Sequence, residues 1–195
     1  MATGRARAPH VAPEALARLL WRHRYAIGCV ALFLTLYTLL PPPRLVPGLV
    51  LSWFLLTLGL IDYHTLLLPD RLTLPFLLSG IGCAAAGGAV CPPFEVGYAR
   101  VSLHDSLLGA LYGAGGLWLL NGVFGWVKGY AGLGGGDIKL LGGLGAWLGW
   151  PVLPLLCAAA ALTGLVWWLW RRRADNEVPF GPFLALAGWM IYIGP

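Results

Sequence analysis

Apolar residues fall into seven runs, near residues 25–41, 46–61, 73–90, 106–127, 138–150, 152–170 and 180–194, each closed by proline, glycine or charge. Runs of this length and apolarity predict membrane-spanning helices, which need about 20 residues each. Several are short or interrupted by glycine, and the run at 138–150 is expected to tilt or to span only in part. Ahead of them, Pro13 to Arg24 reads as a basic amphipathic helix lying on the membrane surface. The pattern predicts an all-α, polytopic membrane bundle of about seven transmembrane helices, or six, over residues 25–195, preceded by a basic segment, 1–24.

Composition sharpens this. Of 195 residues, 58% are hydrophobic and 11% charged, against roughly 45–50% and about 25% in soluble domains. Twenty-one formal charges cannot cover a water-facing surface of this size, whereas ten tryptophans and a mean hydropathy of +0.75 suit a lipid-facing one. The net charge of +5 is spread in short clusters between apolar runs, with no basic stripe studded with aromatics, so nucleic-acid binding is not expected. The first run resembles a signal peptide, but Pro41-Pro42-Pro43-Arg44 follows it instead of a small-residue cleavage site, and it reads as an uncleaved helix.

Charge also orients the bundle. With the N-terminus in the cytoplasm, Arg5, Arg7, Arg18, Arg22, Arg24, Arg71, Lys128, Lys139 and Arg171 to Arg173 lie on the cytoplasmic side, and only Arg44 and Arg100 on the other. That asymmetry satisfies the positive-inside rule and places the segments around Asp62 and Asp137 at one face. Arg171 to Arg173 is read as a topology anchor.

Two carboxylates stand out. Asp62 ends an uncharged stretch, Leu49 to Ile61, and an ionisable group there costs up to about 2.5–3.5 kcal/mol at mid-bilayer and less near the edge. It reads equally well as a snorkelling helix end or as a functional group. Asp137 sits in Gly132-Leu133-Gly134-Gly135-Gly136-Asp137-Ile138-Lys139, where each helical glycine gives up roughly 0.8–1.0 kcal/mol relative to alanine. Glycine-mediated helix packing explains the glycines but not the carboxylate. A phosphate loop fails for want of Gly-Lys-Ser/Thr and of a preceding strand. Paired carboxylates can share a proton, one activating water while the other donates to a carbonyl oxygen, which is amide hydrolysis without metal or covalent intermediate. No other catalytic motif competes. His10, His23, His64 and His104 lack ligand spacing, and Cys29, Cys83, Cys91 and Cys157 form no C-x-x-C pair, so neither a metal nor a cofactor is expected.

Leu60-Ile61-Asp62, Leu67-Leu68-Pro69-Asp70-x-Leu72-Thr73-Leu74-Pro75, Gly132-x-Gly134-x-Gly136-Asp137-x-Lys139-Leu140 and Val178-Pro179-Phe180-Gly181-Pro182 together resemble the type IV prepilin peptidases, membrane aspartic proteases of the Gly-x-Gly-Asp class. The resemblance implies that Asp62 and Asp137 are the catalytic pair, that Gly134 and Gly136 complete the second motif, and that the substrates are prepilin or pseudopilin precursors. Their basic leaders would be cut at the cytoplasmic face of the bacterial inner membrane, with the bilayer as the other partner.

The remaining motif residues carry weaker expectations. Asp70, after Pro69, is expected to cap a helix, with leader recognition second. Lys139 would not face Asp137 on a regular helix and reads as a snorkelling anchor. Pro179, Phe180, Gly181 and Pro182 shape a loop end near the site. His64 carries no assigned role. Bacterial relatives often hold an insertion with two zinc-binding C-x-x-C pairs and a first-helix signature associated with N-methylation of the trimmed pilin. This chain has neither, which implies a peptidase without zinc or methyltransferase activity. The rival readings are an ion- or proton-coupled transporter, against which stand the absence of a repeat and the location of both aspartates at one face, and a noncatalytic assembly subunit of a secretion or pilus apparatus.

Overall fold

A computed structural model describes residues 45–65, 68–86, 95–96, 99–128, 134–171 and 180–194, besides positions 30, 31, 34 and 38. Residues 1–40 form a unit of their own. The expected surface helix, most of the first apolar run, Gly132 and Pro179 lie outside the described residues.

In the unit of residues 41–195, six helices fall on the six later apolar runs: α1 (Leu45–Thr65), α2 (Asp70–Ala86), α3 (Leu103–Lys128), α4 (Gly135–Leu148), α5 (Leu153–Arg171) and α6 (Gly181–Ile193). A small antiparallel ribbon, β1 (Glu95–Val96) with β2 (Ala99–Arg100), precedes α3 and departs from the all-helical expectation without disturbing the bundle. Three stretches, Leu45–Tyr63, Leu103–Val127 and Trp150–Trp170, are long and apolar enough to cross a membrane. At 17, 14 and 13 residues, α2, α4 and α6 extend only about 20–26 Å, short of a hydrocarbon core of about 30 Å. The protein is a polytopic helical membrane protein, with fewer full-length spans among its described residues than the seven apolar runs suggest.

α4 is the centre. It packs against α3, α2 and α6, and every residue from Leu140 to Leu148 is buried. It can be central because its glycines let neighbouring backbones touch. A Cβ on Gly109 of α3 would strike the Gly145 carbonyl, one on Gly145 would strike that of Gly109, and one on Gly143 would enter the Phe76 ring. Without a hydrophobic driving force between helices in lipid, such close van der Waals contact and hydrogen bonds between helices hold a bundle together. Trp147 Nε1–H donates to the Phe76 carbonyl of α2 at 2.9 Å, Ser106 Oγ–H of α3 donates to the Ala146 carbonyl at 2.7 Å, and Trp189 Nε1–H of α6 donates to Ser52 Oγ of α1 at 3.1 Å. The outward helices differ. Only 17% of the apolar stretch of α3 and 22% of that ending α5 is buried in the protein, against 44% in α1. Their exposed leucines, valines and tryptophans face where lipid would lie.

Candidate functional site

Three of the four sequence motifs turn out to be helix starts. The Pro69 carbonyl accepts the N–H groups of Leu72 at 3.0 Å and Thr73 at 3.2 Å, opening α2. Gly134 is extended, and its carbonyl accepts the Asp137 N–H at 3.2 Å, opening α4. The Phe180 carbonyl accepts the N–H groups of Phe183 and Leu184, both at 3.1 Å, opening α6. Pro182 fits there because the first-turn N–H it lacks would have no partner within the helix. The last turns of α1 reach the same region, since Asp62 meets Gly181.

Both aspartates are buried, Asp62 at 4% and Asp137 at 9% exposure. Gly181, first residue of α6, donates its N–H to Asp62 Oδ2 at 3.0 Å. That N–H is one of the donors a helix start leaves free, so the Phe-Gly-Pro motif supplies Asp62 with a fixed partner. A Cβ on Gly181 would lie 2.5 Å from Asp62 Oδ2, so only glycine allows this approach. Asp137 stands in the first turn of α4. A Cβ on Gly134 would lie 3.7 Å from its Oδ2, and one on Gly136 would lie 2.7 Å from Leu68 Cδ1. The two carboxylates are close enough for the charge of Asp62 to act on Asp137. Asp137 Oδ1 is buried with no hydrogen-bond partner. Among the described residues no three His, Cys, Asp or Glu side chains gather into a set that would hold a metal ion.

Two expectations change. Asp70 is the first residue of α2 and not its cap, and its carboxylate pairs with the ammonium of Lys139. Lys139 is therefore tied to α2 across the helix interface instead of snorkelling, because the parallel packing of α2 on α4 brings these first-turn side chains together. The pair is exposed, 50% for Lys139 and 62% for Asp70. Sequence reasoning missed both this pair and the Gly181 donor, which joins residues 119 apart in the chain.

Converging helix starts, short apolar helices and a buried aspartate pair define a class of polytopic membrane protein with a polar site near one end of its bundle. Residues 49–169 match the type IV leader peptidase family, and the chain belongs to that family. It is 46% identical over 154 residues to the prepilin leader peptidase/N-methyltransferase of Pectobacterium carotovorum subsp. carotovorum, covering 76% of this chain and 51% of that protein. It is 39% identical over 158 residues to the like-named protein of Aeromonas salmonicida strain A449, covering 78% and 50%. With that of Escherichia coli strain K12 it is 42% identical over 145 residues, covering 72% and 59%. The chain thus spans about half the length of the curated relatives it matches. No solved structure matches it.

Proposed function

We propose that the protein is an aspartic endopeptidase that removes the basic leader from type IV prepilin-like precursors at the cytoplasmic face of the bacterial inner membrane, with Asp62 and Asp137 as its catalytic dyad. The observation that carries this reading is the burial of two aspartates, drawn from separate motifs, in a chain of the leader peptidase family. One carboxylate takes a proton from water as its oxygen adds to the scissile carbonyl carbon, and the other, protonated, donates to the carbonyl oxygen. As the C–N bond breaks, the proton passes to the leaving amine. Gly181 N–H holds Asp62 in place throughout. The names of the relatives supply the substrate class.

The purified chain in detergent, incubated with a prepilin carrying a basic leader, is expected to yield the shortened pilin on a gel. Asp62→Asn and Asp137→Asn, at normal levels in the membrane, are expected to yield none. Near-normal cleavage by either variant would overturn the dyad. With S-adenosylmethionine present, mass spectrometry of the product is expected to show a free amine, as the two C-x-x-C pairs of the methylating relatives have no counterpart in this sequence. Chelators are expected to leave the rate unchanged. Orientation has its own test. Cysteines introduced at Tyr63 and Gly135 should react with impermeant reagents only from the cytoplasmic side. Labelling of one from the outside would separate the carboxylates by a core of about 30 Å and sink the shared site.

A further inference from the structure

Thr73 is an exception among the hydroxyls of the helical unit. Thr57, Ser79 and Thr163 bond to carbonyls of their own helices, Ser102 bonds to Asp105, Ser106 to Ala146, and Ser52 accepts from Trp189. Thr73 is 2% exposed and its Oγ1 has no partner. A buried helical threonine ordinarily turns its hydroxyl back onto a carbonyl three or four residues earlier. The carbonyl four residues earlier, that of Pro69, already accepts two N–H groups. An unpaired hydroxyl out of water is unfavourable, so its retention calls for a partner that arrives from elsewhere.

One other buried side-chain polar atom among the described residues lacks a partner, and it is Asp137 Oδ1. It stands on α4, the helix against which α2 packs. α2 and α4 run parallel, with Leu68 against Gly136, Asp70 bonded to Lys139, Phe76 against Gly143 and Gly80 against Trp147. Thr73 lies between the second and third of these rungs and shares the face of Phe76 and Gly80 by helical spacing. That sets it about one turn along α4 from Asp137. The two are not bonded to each other, so each awaits a third group. The offset along the axis is about 5.4 Å, to which the separation of two packed helices adds.

We propose that the Thr73 hydroxyl is a substrate-positioning group that hydrogen-bonds a backbone peptide group of the bound precursor to one side of the bond on which Asp137 acts. The proposal rests on the peptidase reading above. A hydroxyl both donates and accepts, so it can hold either an N–H or a C=O of a backbone whatever the side chains are. An interaction made equally with bound substrate and transition state lowers KM and leaves kcat alone.

The test is steady-state cleavage of a prepilin by the full chain in detergent, comparing wild type with Thr73→Val, Thr73→Ser and Thr73→Ala. Valine keeps the branched shape and deletes the hydroxyl. It is expected to raise KM about tenfold or more, with kcat within about threefold of wild type, from the loss of one buried hydrogen bond. Serine should restore both constants to within about threefold. If valine does not give folded protein, alanine is expected to show the same rise in KM. Unchanged KM in whichever hydroxyl-free variant folds overturns the proposal, as does a fall in kcat at constant KM, which would assign the hydroxyl to the water or the dyad. Serine as weak as valine would make the role one of packing by the methyl group and would also overturn it. Failure of the wild-type chain to cleave any prepilin overturns the peptidase reading and the inference together, whereas wild-type cleavage with an unaffected Thr73→Val overturns the inference alone.

Discussion

An aspartate stands by each end of α4, and the two are built to opposite specifications. Next to its last turn is Asp105, in the first turn of α3. Asp105 Oδ2 accepts from Ser102 Oγ at 2.6 Å and from Ser102 N–H at 3.3 Å, Asp105 N–H donates back to Ser102 Oγ at 3.1 Å, and Trp150 Nε1–H donates to Oδ1 at 3.2 Å. This is a reciprocal capping box with an added indole, and it leaves both carboxylate oxygens occupied. At the first turn of α4, Asp137 is more deeply buried and yet has a free oxygen. A carboxylate whose partners are all supplied by its own fold serves the fold. One kept out of water with an open position is held ready for something else.

The largest expected effect tests that contrast directly. Asp62→Asn and Asp137→Asn should each lower prepilin cleavage by about a thousandfold or more, the double variant being no worse, because residues acting as a unit are not additive. Asp105→Asn should stay within about threefold in cleavage and lose about 1 kcal/mol of stability through the weakened cap, read as a lower unfolding temperature in detergent. A catalytic defect in Asp105→Asn comparable to that of Asp137→Asn would dissolve the distinction.

A second comparison sets the glycines of the α3–α4 contact against those facing outward. Gly109→Ala or Gly145→Ala puts a methyl group into a facing backbone carbonyl that cannot step aside. A loss of about 1–3 kcal/mol or more is expected, visible as reduced monodisperse protein on gel filtration. Gly115→Ala and Gly122→Ala meet nothing within 4 Å and should match or exceed wild type, since alanine favours a helix. The smallest effect concerns the exposed pair at the site's edge. Lys139→Ala and Asp70→Ala should cost between 0 and about 1 kcal/mol, less still at high salt, and a double-mutant cycle in cleavage rate should show coupling of the same small size.

What could be read from the sequence and what could not divide along a physical line. The breaks ahead of α2, α4 and α6 were legible because proline and glycine punctuate a chain locally, and Asp62 and Asp137 stood out as candidates because a carboxylate next to an apolar run is costly wherever it folds. The partners were not. Gly181 finding Asp62, Lys139 finding Asp70 and Thr73 finding nothing all depend on the registers of α6 on α1 and of α2 on α4, which glycine-lined backbone contacts decide at long range.

The two buried indole hydrogen bonds have a mechanical meaning. Trp189 fastens α6 to α1, and Trp147 fastens α4 to α2, so sliding either pair by one turn would strand polar groups in an apolar interior. Each fastened pair carries one aspartate: Asp62 with its Gly181 donor on the first, Asp137 on the second. Between the pairs the described contacts are apolar, Phe54 against Phe76 and Gly188 against Leu144. The indole bonds therefore set the register within each pair, while apolar packing joins one pair to the other. If the two aspartates form the dyad proposed above, each fastened pair brings one carboxylate to it as a unit whose register is already set.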